Sequence, residues 1–278
     1  MNKVKFFDTR LIKNFLQIVS AISFSLSLAL IFLTIPEACK VNLGLIFLGL
    51  LFLVYLGVWI HSNKLESLNL DIEGSIVSIK TGDIFEQDGF KAIAFNEYFD
   101  TTIDDVIISQ ASLNGIYINK FFPRSTKILD DHIENYKFES EQIAGNNPDR
   151  AAGKKVIYKV GTICVYEEFI LAAFSKFDDR NRAVLTMPEY LEFLINFWDK
   201  INNVYAQKSV NVPIFGSGIT RIKEHKSISD EDLLKIMLWT FRISEMRFKF
   251  PAKLNIIIHK DKIKKINLLD VKSSKYGL

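Results

Sequence analysis

Two long uncharged runs occupy most of the first sixty residues. Phe15 to Ile35 is 21 residues without a charge; as a helix it measures about 31 Å, enough to cross the hydrocarbon core of a bilayer. Pro36-Glu37 stops it, and Ala38 to Asn42 reads as a short connection. Leu43 to Ile60 is a second uncharged run, of 18 residues, with Trp59 and His61 at its far end. Such amphipathic rings suit a membrane interface. The pattern predicts a transmembrane helical hairpin over residues 1–64. A cleaved signal peptide fits less well, because the first run is long and a second follows at once. Ala21, Ser25 and Ala29 recur at four-residue spacing, which serves either self-association or packing within the hairpin.

Beyond a polar linker at His61 to Asp71 the periodicity changes. Ser75 to Lys80 alternates apolar and polar, and Phe90 to Phe95 is a more buried strand. Ile103 to Leu113 carries helical spacing, with Asn114-Gly115 placed as its C-cap. Ile128 to Ile133 is a second candidate helix, and Gly145 to Pro148 a loop. Lys155–Val160, Ile163–Tyr166 and Phe169–Phe174 read as neighbouring strands. Thr186-x-x-Glu189 is a capping box ahead of a five-turn amphipathic helix through Tyr205. Val210 to Phe215 is a strand that runs into Gly216-Ser217-Gly218. Ser229 caps a helix reaching about Met246, Leu254 to Ile258 is a last buried strand, and Asp261 to Val271 forms a short terminal helix or extension. Residues 65–278 are therefore expected to fold as one α/β domain, a mixed sheet with helices on both faces.

Charge sharpens the first segment and narrows the second. Residues 1–64 hold Lys3, Lys5, Arg10, Lys13, Lys40 and Lys64 against Asp8 and Glu37. Only Lys40 lies between the two runs, so the positive-inside rule predicts a multi-pass anchor with both termini and the α/β domain in the cytoplasm. The whole chain is only +3, which leaves the larger part near neutral. Nucleic-acid binding is not expected of it. Neither apolar run contains a charge, so a proton relay or ion pathway is not expected either. Cys39 and Cys164 make no disulfide framework, and the four histidines share no metal-ligand spacing. Lys260 to Lys265 reads as a solvated face.

The candidate chemistry lies at strand ends, where α/β sheets bind ligands. Two glycines around Ser217 allow a sharp turn and close ligand approach, and successive N–H groups in such a turn form an anion cradle. Thr81-Gly82-Asp83 ends an early strand, and Asn96, Glu97, Asp100, Asp104 and Asp105 follow another.

In that order, Thr81-Gly82-Asp83-Ile84, Ala92-Ile93-Ala94-Phe95-Asn96 and Phe215-Gly216-Ser217-Gly218-Ile219 resemble the macro domain over about residues 70–272. Two apolar helices ahead of such a domain resemble the membrane-anchored effectors of bacterial Thoeris anti-phage defence. The resemblance implies a macro-type fold and binding of ADP-ribose or an ADP-ribose conjugate made from NAD, with no further cofactor. Asp83 would take the adenine amine, with Ile84 adding a backbone contact. Gly216, Ser217, Gly218, Ile219 and Thr220 would hold the diphosphate, and Asn96 and the acidic cluster the distal ribose. Hydrolytic members carry an Asn-Ala-Ala-Asn-like run where this chain has Phe95-Asn96-Glu97-Tyr98, so a sensor is expected rather than an enzyme. The weighed alternatives are a membrane-tethered ADP-ribosyl hydrolase and a non-binding scaffold. The family further implies a histidine–ADP-ribose signal made by a partner TIR-domain protein, a homo-oligomer, and membrane disruption with abortive infection. An imidazole or ammonium facing Glu97, Asp100 or Asp105 would suit that signal.

Overall fold

The computed structural model describes residues 3–178, 182–218, 220–225 and 227–274. Two apolar helices open the chain, α1 (Thr9–Phe32) and α2 (Glu37–Lys64). Both are longer than the uncharged runs alone, and the expected connection at Ala38–Asn42 is helical. The turn is Leu33–Pro36 instead. Pro36 lacks the N–H that would continue α1 and stands as the N-cap of α2, where Glu37 complements the helix dipole. At the other end Phe6 packs edge-on against Tyr55 and Trp59, and the Trp59 indole N–H donates to Val4 O at 3.1 Å. Ser20 and Ser25 return their hydroxyls to the carbonyls of Leu16 and Ala21.

The stretch read as a linker contains a strand. β1 (Ser67–Ile72) pairs antiparallel with β2 (Ser75–Thr81). Then come β3 (Phe90–Asn96), α3 (Leu113–Phe121), α4 (Lys127–Asn135), β4 (Ile143–Asn146) and β5 (Val156–Tyr158). β4 and β5 form a separate small ribbon, so part of the expected loop at Gly145 is paired. β6 (Ile163–Tyr166), β7 (Phe169–Phe177), β8 (Ala183–Leu185) and α5 (Met187–Val204) follow, the last with the capping box in place. The chain ends with β9 (Val210–Pro213), β10 (Arg221–Ile222), α6 (Asp230–Ile243), β11 (Leu254–Ile258) and α7 (Leu268–Ser273).

The main sheet runs β1-β2-β11-β9-β3-β7-β8-β10, with β6 also on β7. Its centre, β2-β11-β9-β3-β7, is parallel throughout. β7 and β11 carry long apolar runs because both faces of this central sheet are covered. One face packs Val77, Val212 and Ile256 against Tyr190, Phe193 and Phe241 of α5 and α6. The other packs Ile93, Phe95 and Leu171 against Tyr117 and Leu129 of α3 and α4. Asn211 locks the centre: its amide donates to Asp88 O and Phe90 O, and its carbonyl accepts from Asn255.

One expected helix is absent. Residues 103–111 form bends around a single bridge between Ile103 and Ile108. The carboxylate of Asp104 accepts from Val106 N and Ile107 N, and that of Asp105 from Gln110 N. Side chains thus take the N–H groups a helix would need. The helix starts later, at α3, capped by Ser112 accepting from Gly115 N. Gly115 is not a C-cap. A Cβ there would lie 2.2 Å from Ser109 O, so the first turn of α3 needs glycine for close approach.

Candidate functional site

The carboxyl ends of the parallel strands open into one cleft of about 1330 Å³, above the range of ordinary small-molecule sites. Strand ends supply its floor, through Ala94, Phe95, Phe174 and Pro213. Beyond β2, Gly82-Asp83 leads into a single 3-10 turn, Ile84–Glu86. Asp83 caps that turn, its Oδ1 accepting from Phe85 N at 2.9 Å, while Gln87 donates to Asp83 O. The carboxylate is exposed at the cleft and Ile84 is buried beneath it.

Beyond β9, Gly216-Ser217-Gly218 forms another part of the lining. Ser217 N donates to Ile214 O at 3.2 Å, closing the turn. Gly216 has φ of +83°, a left-handed conformation that favours glycine. The turn is fixed by Tyr190, whose hydroxyl donates to Phe215 O at 2.9 Å, and by Lys262, whose ammonium donates to Ser217 O. Thr220 also lines the cleft. Ile219 lies outside the described residues.

The residues after β3 divide. A bulge at Phe95/Asn96 shifts the register with β7, so that Asn96 pairs with Ser175, and Asn96 reaches the cleft. Its carboxamide is taken up locally: Oδ1 accepts from Tyr98 N and Asp100 N, and Nδ2 donates to Asp100 Oδ2. Asp105 lines the cleft as well, with both carboxylate oxygens on Gln110. Glu97 and Asp100 do not line it. Glu97 accepts from Phe177 N at 3.0 Å. Burial pushes its carboxyl above the usual range, against the lowering pull of that N–H, Lys176 and Arg150. Asp100 is 1% exposed and paired with Arg150 at 2.7 Å. The distal-end role expected of these two is corrected on that ground: their charge is spent inside the fold.

Sequence reasoning missed the basic side of the cleft. His259, Lys260 and Lys262 follow β11 and line it, as does Arg182. The signal was available, since they follow a buried strand just as the glycine turn does. A lysine-rich stretch otherwise looks like any solvated surface. The amino end of α3 contributes Ser112 and Asn114, and Asn114 Oδ1 is buried without a hydrogen-bond partner among the described residues. Among the described residues no three histidine, cysteine or carboxylate side chains converge as a metal group.

Comparison with known proteins gives this arrangement a family. The family model for the macro domain of the Thoeris protein ThsA matches residues 77–259, from within β2 to the residue after β11. The Thoeris protein ThsA of Bacillus amyloliquefaciens (strain Y2) is 40% identical over 269 residues, covering 95% of this chain and 89% of that protein. Among solved structures, a macrodomain mutant from Oceanobacillus iheyensis aligns with a TM-score of 0.49 at 13% identity, over 75% of this chain and 97% of that one. Another mutant of the same macrodomain, with ADPR, aligns at 0.40 and 11% identity over 76% and 97%. The chain belongs to the ThsA family of Thoeris proteins, with a macro domain built on the parallel sheet and two apolar helices ahead of it.

Proposed function

We propose that this chain is a membrane-anchored effector of bacterial anti-phage defence whose macro domain senses an ADP-ribose-derived signal. The observation that carries the reading is that the Asp83 turn and the Gly216-Ser217-Gly218 turn line one cleft at the carboxyl ends of parallel strands. Asp83 is an exposed acceptor suited to an exocyclic amine, and the glycine turn presents backbone N–H groups to a diphosphate. Ile84, Thr220, Ile219 and the backbone at Asn96 complete the assignment, and Asp105 faces the distal end. Lys260 and Lys262 add positive charge suited to the phosphates.

Sensing is favoured over hydrolysis. The Asn96 carboxamide is held by the turn that follows it, and the nearby carboxylates of Glu97, Asp100 and Asp105 are each bonded within the protein. The signal in this reading is ADP-ribose or its histidine conjugate, made from NAD by a TIR-domain partner.

The hairpin supports anchoring. Its helices are 24 and 28 residues long, each with an apolar stretch long enough to cross a bilayer, and those stretches bury nothing against the domain. At about 1.5 Å per residue each spans the hydrocarbon core. Lys3 and Lys5 ahead of α1, Arg10 and Lys13 in its first turns and Lys64 at the end of α2 support a cytoplasmic domain. Ligand binding then shifts how hairpins of several copies assemble, and the membrane is breached, ending in abortive infection. Dye release from phosphatidylglycerol–phosphatidylethanolamine vesicles tests this. The reconstituted chain is expected to release dye only when the ADP-ribose conjugate is added. Equal release without ligand, or from Asp83→Ala with ligand, would count against it.

A further inference from the structure

The cleft is tied to the hairpin at two separate places, one for each helix. The first tie is short. α2 ends at Lys64, and Leu65-Glu66 leads directly into β1. Glu66 O accepts from both the backbone N–H and the hydroxyl of Thr81, each at 3.1 Å. Thr81 lines the cleft two residues before Asp83. The Asp83 side of the cleft therefore sits on the base of α2.

The second tie is a chain of charges leading from the glycine turn to α1. Lys262 donates to Ser217 O and stands 3.7 Å from Asp230, in the first turn of α6. The next residue, Glu231, accepts from Asn267 N at 2.7 Å and from Lys235 at 3.0 Å. Lys235 also reaches Asp270 of α7 at 2.7 Å. Asp270 pairs with Arg10, in the first turn of α1, and Arg10 Nε donates to Ser273 Oγ at 2.9 Å. Asn267 donates to Asp8, the N-cap of α1.

The middle of this chain is sheltered, with the Lys235 side chain 13% exposed and both its carboxylates 17%. Sheltered pairs are less screened than surface ones, and removing one member strands the other. Lys262 itself lines the cleft, so a diphosphate at the glycine turn competes with Ser217 O and Asp230 for its ammonium.

We propose that Lys262, Asp230, Glu231, Lys235, Asp270 and Arg10 couple occupancy of the glycine turn to the seating of α1. This regulatory link rests on the reading that the cleft takes an ADP-ribose-type ligand and that the hairpin is the output. Ligand draws Lys262 toward its phosphates, the first turn of α6 loses its cationic partner, and the Lys235–Asp270–Arg10 contacts re-form around the change. Coupling requires that ligand favour one of these arrangements over the other. Because the Asp83 side is attached to α2 and the glycine turn to α1, a ligand bridging the two turns acts on the helices relative to each other.

The test uses the full chain in lipid nanodiscs with a fluorophore on Cys39. That thiol is exposed near the tip of the hairpin, whereas Cys164 is buried and its thiol is pushed up to about 12 by burial. ADP-ribose is the probe. Binding is read by calorimetry and hairpin rearrangement by the Cys39 signal, on the same samples. Wild type is expected to bind and to show a ligand-dependent signal. Arg10→Gln and Lys235→Met lie away from the cleft; they are expected to bind within about tenfold of wild type and to lose the signal about fivefold or more. Arg10→Lys, which keeps the charge, is expected to retain most of it, and Lys200→Gln, in an exposed pair with Glu139, all of it. Arg10→Gln and Lys235→Met variants that bind and signal like wild type would overturn the link, as would a wild type that binds without a signal. A wild type that does not bind ADP-ribose would instead overturn the ligand reading and take the link with it.

Discussion

Asp100 and Arg150 form a two-pronged ion pair inside the domain, with Nη1–Oδ1 at 3.0 Å and Nη2–Oδ2 at 2.7 Å. Lys154 N donates to the same carboxylate, and the guanidinium lies 3.7 Å from the Tyr98 ring centroid. An acidic residue that looks available in the sequence is thus a structural pin joining the segment after β3 to the loop before β5. Asp100→Ala is expected to cost about 3–5 kcal/mol, because it leaves a buried guanidinium unpaired. Thermal unfolding of wild type and variant checks this. A change of only a few tenths would place Asp100 back among residues free to meet a ligand.

Asp83 should behave in the opposite way. Its carboxylate is exposed and contributes one cap to a three-residue turn, so Asp83→Ala is expected to cost about 1 kcal/mol of stability or less. Its affinity for ADP-ribose is expected to fall tenfold or more, the equivalent of about 1.4 kcal/mol. Denaturant melts and calorimetry on the same preparation separate the two effects.

The two glycines of the turn are distinguishable by experiment. Gly216 sits at φ +83°, so Gly216→Ala is expected to cost about 1–2 kcal/mol in stability. A Cβ at Gly218 meets nothing within 4 Å among the described residues beyond its chain neighbours. Gly218→Ala is expected to leave the melting temperature unchanged and to weaken ADP-ribose binding by crowding the diphosphate. Equal destabilisation of both variants would show that the turn has another conformation in solution.

Glu97 gives a pH signature. Burial raises its folded-state pKa above the unfolded value, so its contribution to stability is present below the unfolded pKa, about 4.3, and is lost as pH rises through the folded one. Glu97→Gln removes the ionisation and can keep the acceptor for Phe177 N. The variant is expected to match wild type near pH 4 and to be the more stable near pH 8. Melting curves at the two pH values check the sign.

The parts legible in the sequence are those where one signal acts alone. The apolar runs gave the hairpin, and short, mostly apolar runs rich in aromatic and aliphatic residues gave β3, β7 and β11. The Thr186 and Ser229 capping boxes opened α5 and α6 at the expected residues. The failures come from competition. Residues 103–113 have helical spacing, but Asp104 and Asp105 spend their carboxylates on nearby N–H groups and the helix loses. Ser67–Ile72 is polar enough to read as linker, and becomes a strand because β2 offers it an edge. Asp83 and the glycine turn, which line the cleft, were legible as a candidate site because strand ends and glycine geometry mark them locally. Glu97 and Asp100 were misassigned because their partners, Phe177 and Arg150, lie 80 and 50 residues away. Lys262 was missed for the same reason, since Ser217 is 45 residues before it.

The central claim is that the cleft between the Asp83 turn and the glycine turn binds an ADP-ribose-type ligand. Isothermal titration of ADP-ribose and of its histidine conjugate into the full chain and into Asp83→Ala tests it most directly. Saturable one-to-one binding to the wild type, weakened tenfold or more in Asp83→Ala, is the expected result. No binding of either ligand to the wild type, or equal affinity in the variant, would contradict the account.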